Sequence, residues 1–320
     1  MYKYSIGIPT LNDYNRLNTV IKSVVDKTKE YTKDIDYKLV VCDDGSFKPD
    51  AIEGIKKVAR EFGADYIRHE KNRGISAAWN SLSKQVDSEY VILLNDDVRI
   101  RDDFWLKYLD FFFTNNSDIG VVGFPLAHYY PQTQKWIEGP WAPWPAMVGA
   151  PVGCSFGFSK KAWAAVKNPD GSIGFWDDLV SFSEEIYFGF RVWELDFYNF
   201  QLPWPPIENY LGGGQTFGAN PHVNVRKPSN YLPLDEYLRE MTKYKPRHML
   251  VNAFGEVSRM DYSRMMFAKA YGSKDYWDNP YKEVHERIVT PKPAKKVKWL
   301  SKDLNVEEEY INNGGIWKQQ

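Results

Sequence analysis

The chain has 320 residues, of which 43% are hydrophobic, 26% charged and 16% aromatic, enough for one large α/β domain or for a domain with an appendage. Lys and Arg total 41 against 42 Asp and Glu, so no overall basic charge points to nucleic acid or an anionic membrane. Two cysteines, Cys42 and Cys154, exclude a disulfide scaffold and a four-cysteine zinc site. No run of about 18 apolar residues occurs, and residues 1–8 lack the apolar stretch of a signal peptide. The expectation is a cytoplasmic protein without an integral membrane segment. Charge is unevenly placed: residues 220–320 hold 18 Lys/Arg against 13 Asp/Glu, and the first 219 hold 23 against 29.

In chain order, Ser5-Ile6-Gly7-Ile8 reads as a buried strand closed by Pro9. Leu17, Val20, Ile21, Val24 and Val25 recur at helical spacing. Tyr37 to Cys42 is a second strand, broken by Asp43-Asp44-Gly45-Ser46. Ile52, Ile55, Val58, Ala59 and Phe62 mark a helix, with Gly63 at its C-terminal stop. Residues 64–68 form a third strand, 75–86 a third helix, and 90–94 a fourth strand ending in Asn95-Asp96-Asp97. Alternating strand and helix with short connections predicts a doubly wound, mostly parallel sheet. Residues 125–150 dissolve into Pro and Trp and read as a long loop, of the kind that is usually functional. A strand at 153–159, a helix at 160–166 and a helix entered through Ser183-Glu184-Glu185 follow. Residues 216–320 read as a C-terminal extension with helices near 234–242 and 258–270, and 291–296 as an exposed linker or tail.

Ligands of doubly wound sheets bind beyond the carboxyl ends of the strands, where both acidic clusters fall. Two carboxylates at 96–97 are costly beside a buried strand end unless a positive partner neutralises them. A hard divalent cation with oxygen ligands would do so; a solvated turn also favours Asp and Asn. At the second strand end, Asp43 and Asp44 offer acceptors for a base or ribose hydroxyl, or again a turn. Arg73 and Gly74 at a helix entrance suit a diphosphate, and Asn80 lies two turns further in.

These motifs together resemble a family 2 type glycosyltransferase with the GT-A fold. Ile8-Pro9-Thr10-Leu11-Asn12 is similar to that family's strand-one motif, and Val41 to Ser46 to the second-strand motif whose Asp contacts the base. Asn72-Arg73-Gly74 with Asn80 resembles its Asn-x-Gly segment, and Leu94-Asn95-Asp96-Asp97 its metal-binding acidic motif, with Asp97 the main ligand. Residues 153–185, including Gly174-Phe175-Trp176-Asp177, resemble the acceptor half. Glu184-Glu185 with Arg191 stands where the family usually has Glu-Asp and an Arg six residues on. The resemblance covers residues 4–216 and implies a GT-A domain over 1–215, nucleotide-binding in 1–125 and acceptor-binding in 126–215. Two positions depart from the pattern: Glu185 lengthens the expected catalytic Asp by one methylene, leaving Glu184 as a substitute, and Asn209-Tyr210-Leu211 replaces a His before Gly212-Gly213-Gly214. His222 could supply that ligand, imidazole suiting Mn, or could be an ordinary surface histidine.

The resemblance implies an inverting transfer from a nucleoside diphosphate sugar, UDP-linked first, with Mn or Mg as cofactor. Pro9, Thr10, Asn12, Asp43 and Asp44 would serve the nucleoside, and Arg73, Gly74, Asn80, Asn95 and Asp96 the rest of the donor. Trp136, Trp141 and Trp144 lie among prolines and would wall the acceptor site with Trp176 and Asp177, since sugars and bases stack on aromatic faces. A glycan is the first acceptor expected, nucleic acid with a hydroxylated base the second, and protein the third. A nucleotidyltransferase would carry a Gly-rich, basic loop after strand one, where Pro9-Thr10-Leu11-Asn12-Asp13 stands instead. A catalytically silent binding module of the same fold is the competing class. Neither a Walker A loop nor GxGxxG occurs.

Overall fold

The computed structural model describes residues 1–28, 35–130, 135–138, 143–151, 154–179, 183–210, 230–251, 257–273, 280–288 and 292–311. Along the chain run β1 (Tyr2–Thr10), α1 (Tyr14–Thr28), β2 (Tyr37–Asp43), α2 (Pro49–Glu61), β3 (Asp65–Arg68), α3 (Ile75–Gln85), β4 (Ser88–Leu94), β5 (Val98–Arg99), α4 (Trp105–Asn115) and β6 (Ile119–Gly123). Then come β7 (Leu126–Tyr130), β8 (Lys135–Glu138), β9 (Ala146–Met147), β10 (Ser155–Ser159), α5 (Lys160–Ala165), α6 (Glu184–Glu194), β11 (Tyr198–Gln201) and β12 (Ile207–Tyr210). Beyond them lie α7 (Leu234–Met241), α8 (Arg247–Leu250), α9 (Arg259–Ala270), α10 (Pro280–Ile288), β13 (Lys295–Leu300) and β14 (Val306–Ile311).

β1 is buried from Tyr4 onward and pairs in parallel with β2 on one side and β4 on the other. Helices cover both faces of such a strand, which is why its apolar run does not alternate. α1 buries Leu17, Val20, Ile21 and Val24, the stripe its spacing predicts. The main sheet has eight strands in the order β3-β2-β1-β4-β10-β6-β11-β9. It is the mostly parallel α/β sheet that the strand and helix alternation implies, with β10 and β9 running against their neighbours. Because β10 is reversed, its first residues meet the last residues of β4, with Ser155 opposite Leu94.

Residues 125–150, expected as a loop, carry three strands. β7 and β8 form a hairpin, with Ala127 opposite Glu138, and join β5 and β12 in a second sheet ordered β5-β12-β7-β8. The prolines around these short runs mask them, and β7 finds its parallel partner β12 some 80 residues on, a pairing local pattern cannot reveal. The tail expected at 291–296 is also corrected. Lys295 and Lys296 open β13, which buries Val297 and Leu300 and pairs with β14.

The C-terminal segment shares the main core. Tyr237, Met266 and Trp299 belong to the same apolar cluster as Ile8, Ile92 and Leu109. Polar clamps fix β13 to α4 and its exit: Asn116 Nδ2 donates to Lys298 O at 2.8 Å, and Lys298 N donates back to Asn116 Oδ1 at 2.8 Å. Tyr108 also donates to Lys302 O at 3.0 Å. Lys292 places its ammonium 4.7 Å from the Trp193 ring centroid, and Lys295 lies 4.6 Å from that of Tyr198. Replacing Asn116 with Ala strands the Lys298 peptide groups in a partly buried seam, so unfolding in urea should show a loss of about 2 kcal/mol. Hydrogen exchange at Lys298 N–H should rise with it; an unchanged midpoint would assign the attachment of β13 to apolar contact alone.

Candidate functional site

The carboxyl ends of β1, β2 and β4 deliver Thr10, Asp43 and Asn95 to one rim of the sheet. Asp43 is fully buried, and its charge is met internally. Its Oδ1 accepts from Ser46 N at 2.8 Å, and its Oδ2 from Tyr66 at 3.0 Å and from the Arg68 guanidinium at 3.2 Å. Burial and the Asp43 charge together hold the Tyr66 phenol well above its usual range. Arg68 also donates to Ser46 O at 2.8 Å, so this carboxylate and guanidinium shape the turn. Gly45 is the residue that lets the turn close: its φ is +77°, and a Cβ there would lie 2.2 Å from Asn72 N. Asn12 pins the same turn, its Oδ1 accepting from Phe47 N at 3.0 Å and Lys48 N at 3.3 Å.

Asp44 joins this turn to the next loop. Its N–H donates to Thr10 O at 3.0 Å, while its carboxylate accepts from Arg73 N and Gly74 N, each at 2.9 Å. A third partner, His69 Nδ1, lies 2.7 Å from Asp44 Oδ1. The sequence reading passed over His69 as a functional residue; its only signal was its place four residues before Arg73 inside the motif. Arg73 is half exposed, and its guanidinium meets Asp177 Oδ2 at 2.9 Å. Residues assigned separately to donor and acceptor sides therefore touch.

Asn80 does not face the rim. It is buried and committed to the loop before α6, donating to Phe175 O at 2.6 Å and Asp177 Oδ1 at 2.8 Å. Its Oδ1 accepts from Phe175 N at 3.0 Å and Trp163 Nε1 at 3.2 Å. The direct donor contact expected of it is corrected to a brace for Asp177. Trp176 is likewise corrected: it has no exposed surface and packs against Tyr187 and Tyr231, at 5.3 and 4.9 Å between ring centroids. A buried indole offers no face to an acceptor. Trp144, by contrast, is 46% exposed. Trp141 and His222 lie outside the described residues, as do the side chain of Trp136 and Gly212 to Gly214.

The third strand tip carries two raised carboxyls. Thr10 Oγ1 donates to Asp96 Oδ2 at 2.7 Å. Even so, loss of solvent, with the Asp97 charge adding to it, pushes the Asp96 carboxyl up to about 7. Burial raises Asp97 too, and its Oδ1 is enclosed with no hydrogen-bond partner among the described residues, as is Asn95 Oδ1. Across from them, burial first and then the charge of Asp97, with a smaller contribution from Glu185, push the Cys154 thiol up to about 12. Glu185 sits in the first turn of α6, its carboxyl raised by burial and partly offset by its own N–H and that of Ile186. Glu184 beside it is buried. Asn209 of β12, which the sequence reading noted only as a departure, reaches the same sulfur with its side chain.

Among the described residues, no group of three or more His, Cys, Asp or Glu side chains is arranged to hold a metal. What the rim offers is Asp97 Oδ1, a hard, enclosed oxygen lacking a hydrogen bond. That donor fits a cation whose remaining ligands come from a substrate's phosphates and water. Among the described residues, no helix is long and apolar enough to cross a membrane.

Residues 5–151 match the family described as Glycosyl transferase family 2, and the chain is a glycosyltransferase. Solved structures share its fold. Residues 1–349 of TarS from S. aureus align at TM-score 0.52 and 13% identity, covering 96% of this chain and 98% of that one. The mannosyltransferase PcManGT from Pyrobaculum calidifontis, in complex with GDP-Man and Mn2+, aligns at TM-score 0.51 and 13% identity, covering 89% and 68%.

Replacing Asn80 with Ala removes four hydrogen bonds from the buried loop holding Asp177. The expected cost is about 3 kcal/mol in chemical denaturation. A folded Asn80→Ala protein of unaltered stability would show that the loop is held by its aromatic packing alone.

Proposed function

We propose that the chain is a cation-dependent, inverting glycosyltransferase that moves a sugar from a nucleoside diphosphate donor, a UDP-sugar first, to a hydroxyl of a glycan. The observation that carries this reading is the hydrogen-bonded rim that runs from Asp44 through Thr10 to Asp96, with an enclosed Asp97 oxygen beside it. Support for a nucleotide-sugar donor and a divalent cation comes from the mannosyltransferase solved with GDP-Man and Mn2+.

In this mechanism, Thr10 and the turn built by Asp43 and Asp44 receive the nucleoside. A bound Mn or Mg would be held by Asp97 and would supply Lewis-acid stabilisation of charge on the departing diphosphate. Arg73, on the rim, adds a second positive charge to that group. Glu185 takes the acceptor hydroxyl's proton as that oxygen attacks the anomeric carbon. The nucleoside diphosphate leaves from the opposite face with the bonding pair, which inverts the centre. Desolvation favours this role, because a carboxylate raised toward neutral pH is a stronger base in its ionised form. Asp177, braced by Asn80, stands at the junction of donor and acceptor sides, and the exposed ring of Trp144 provides a stacking face for the acceptor. A silent binding module is the second reading, favoured by Glu185 standing where an Asp is usual.

A screen of UDP-, GDP- and dTDP-sugars with Mn, reading released nucleoside diphosphate, tests the assignment directly. Replacing Asp97 with Ala should lower kcat/KM by about a thousandfold or more with the fold retained. Glu185→Gln should lower kcat roughly a hundred- to ten-thousandfold while donor affinity persists; wild-type turnover in that variant would remove Glu185 as the base. Trp144→Ala should raise the acceptor KM about tenfold, in line with the loss of one stacking contact, and unchanged acceptor kinetics would take Trp144 out of the site.

A further inference from the structure

We propose that His69 is a positioning residue for the donor, holding Asp44 through Nδ1 while Ser81 of α3 fixes the other side of its ring. The inference rests on the reading that Asp44 and Arg73 serve the nucleotide sugar. His69 is 7% exposed and Asp44 6%. The imidazole lies between two polar partners, Asp44 Oδ1 at 2.7 Å from Nδ1 and Ser81 Oγ at 2.8 Å from Nε2. Cys42 Sγ, 3.9 Å from Nε2, packs along the same edge.

An ionised carboxylate can only accept, so the proton at this contact belongs to Nδ1. Nε2 then meets the Ser81 hydroxyl, which can donate to a bare ring nitrogen or accept from an N–H, so both neighbours of the ring are satisfied with the proton on Nδ1. Asp44 Oδ1 also accepts from Arg73 N, and Oδ2 from Gly74 N, the two residues that lead into α3. The chain Ser81–His69–Asp44 thereby ties the second turn of α3 to the loop before its first turn. Without the ring, Asp44 Oδ1 would keep a single bond from a backbone N–H. The carboxylate could then rotate, and Arg73 would lose its fixed place at the rim. The order of groups is that of a nucleophilic triad. Here, however, Asp44 is committed to the Arg73 and Gly74 N–H groups, so the linkage runs toward the phosphate-facing loop and not toward an activated serine.

The test combines steady-state transfer, titration with UDP and GDP, and 15N NMR of the imidazole in the full chain. His69→Phe should raise the donor KM, and the Kd of whichever nucleoside diphosphate the wild type binds, about tenfold, with kcat changed less than threefold. His69→Asn, whose amide can still donate to Asp44, should bring both constants back to within about threefold of wild type. Ser81→Ala, a mild change, should raise the Kd two- to threefold. In the wild type the His69 signals should report a proton on Nδ1. Unaltered nucleotide affinity in folded His69→Phe overturns the proposal, and so does a ring whose Nδ1 carries no proton. If His69→Phe fails to fold, Ser81→Ala and the Nδ1 proton decide. Wild-type protein that binds neither UDP nor GDP would count against the donor reading instead, and the Nδ1 proton would still decide the linkage.

Discussion

Carboxylates at the tips of buried parallel strands are the constraint around which this molecule is arranged. Each must be answered by a donor or a cation, because water is largely excluded. Asp43 is answered by Arg68, Tyr66 and Ser46 N, and Asp44 by His69 and two backbone N–H groups. These internal answers give the turns their shape. Asp97 differs, since one of its oxygens is enclosed without a hydrogen bond. A gradient of satisfaction therefore runs along the rim, from fully answered carboxylates at β2 to one at β4 that is only partly answered among the described residues.

Much of the architecture was legible because periodicity and composition report local geometry. The helical stripe of Leu17, Val20, Ile21 and Val24 and the buried run of β1 have one natural reading each. The second sheet was not legible, since β7 depends on β12, a strand distant in sequence, and prolines obscure both. Site residues divide in the same way. Position along the motif placed Asp44, Asp96 and Asp97 on the rim. It could not distinguish a side chain that faces a ligand from one that faces its own scaffold, which is why Asn80 and Trp176 were placed wrongly. Asn80 lies within the helix that opens at Ile75, and only the packed loop of residues 174–177 shows which way its amide points. His69 carried no distinguishing sequence signal; its significance lies in two contacts separated by 25 and 12 residues.

The basic C-terminal segment reads differently once it is seen folded. Lys292 and Lys295 lie against Trp193 and Tyr198, and Lys296 pairs with Glu308 of β14. Two of these cations thus fasten the segment to the residues before it, and the third ties β13 to β14.

The reversed strand β10 has an evolutionary consequence. By entering the sheet against its neighbours, it starts at the same edge where β4 ends. The chain between those strands leaves the rim and comes back to it, laying down β6 and β9 of the same sheet on the way, so the loops of that excursion are where length can change without breaking the hydrogen-bonded frame. New specificities could thus be acquired by rewriting one excursion of the chain, while the machinery for activating the sugar is inherited intact.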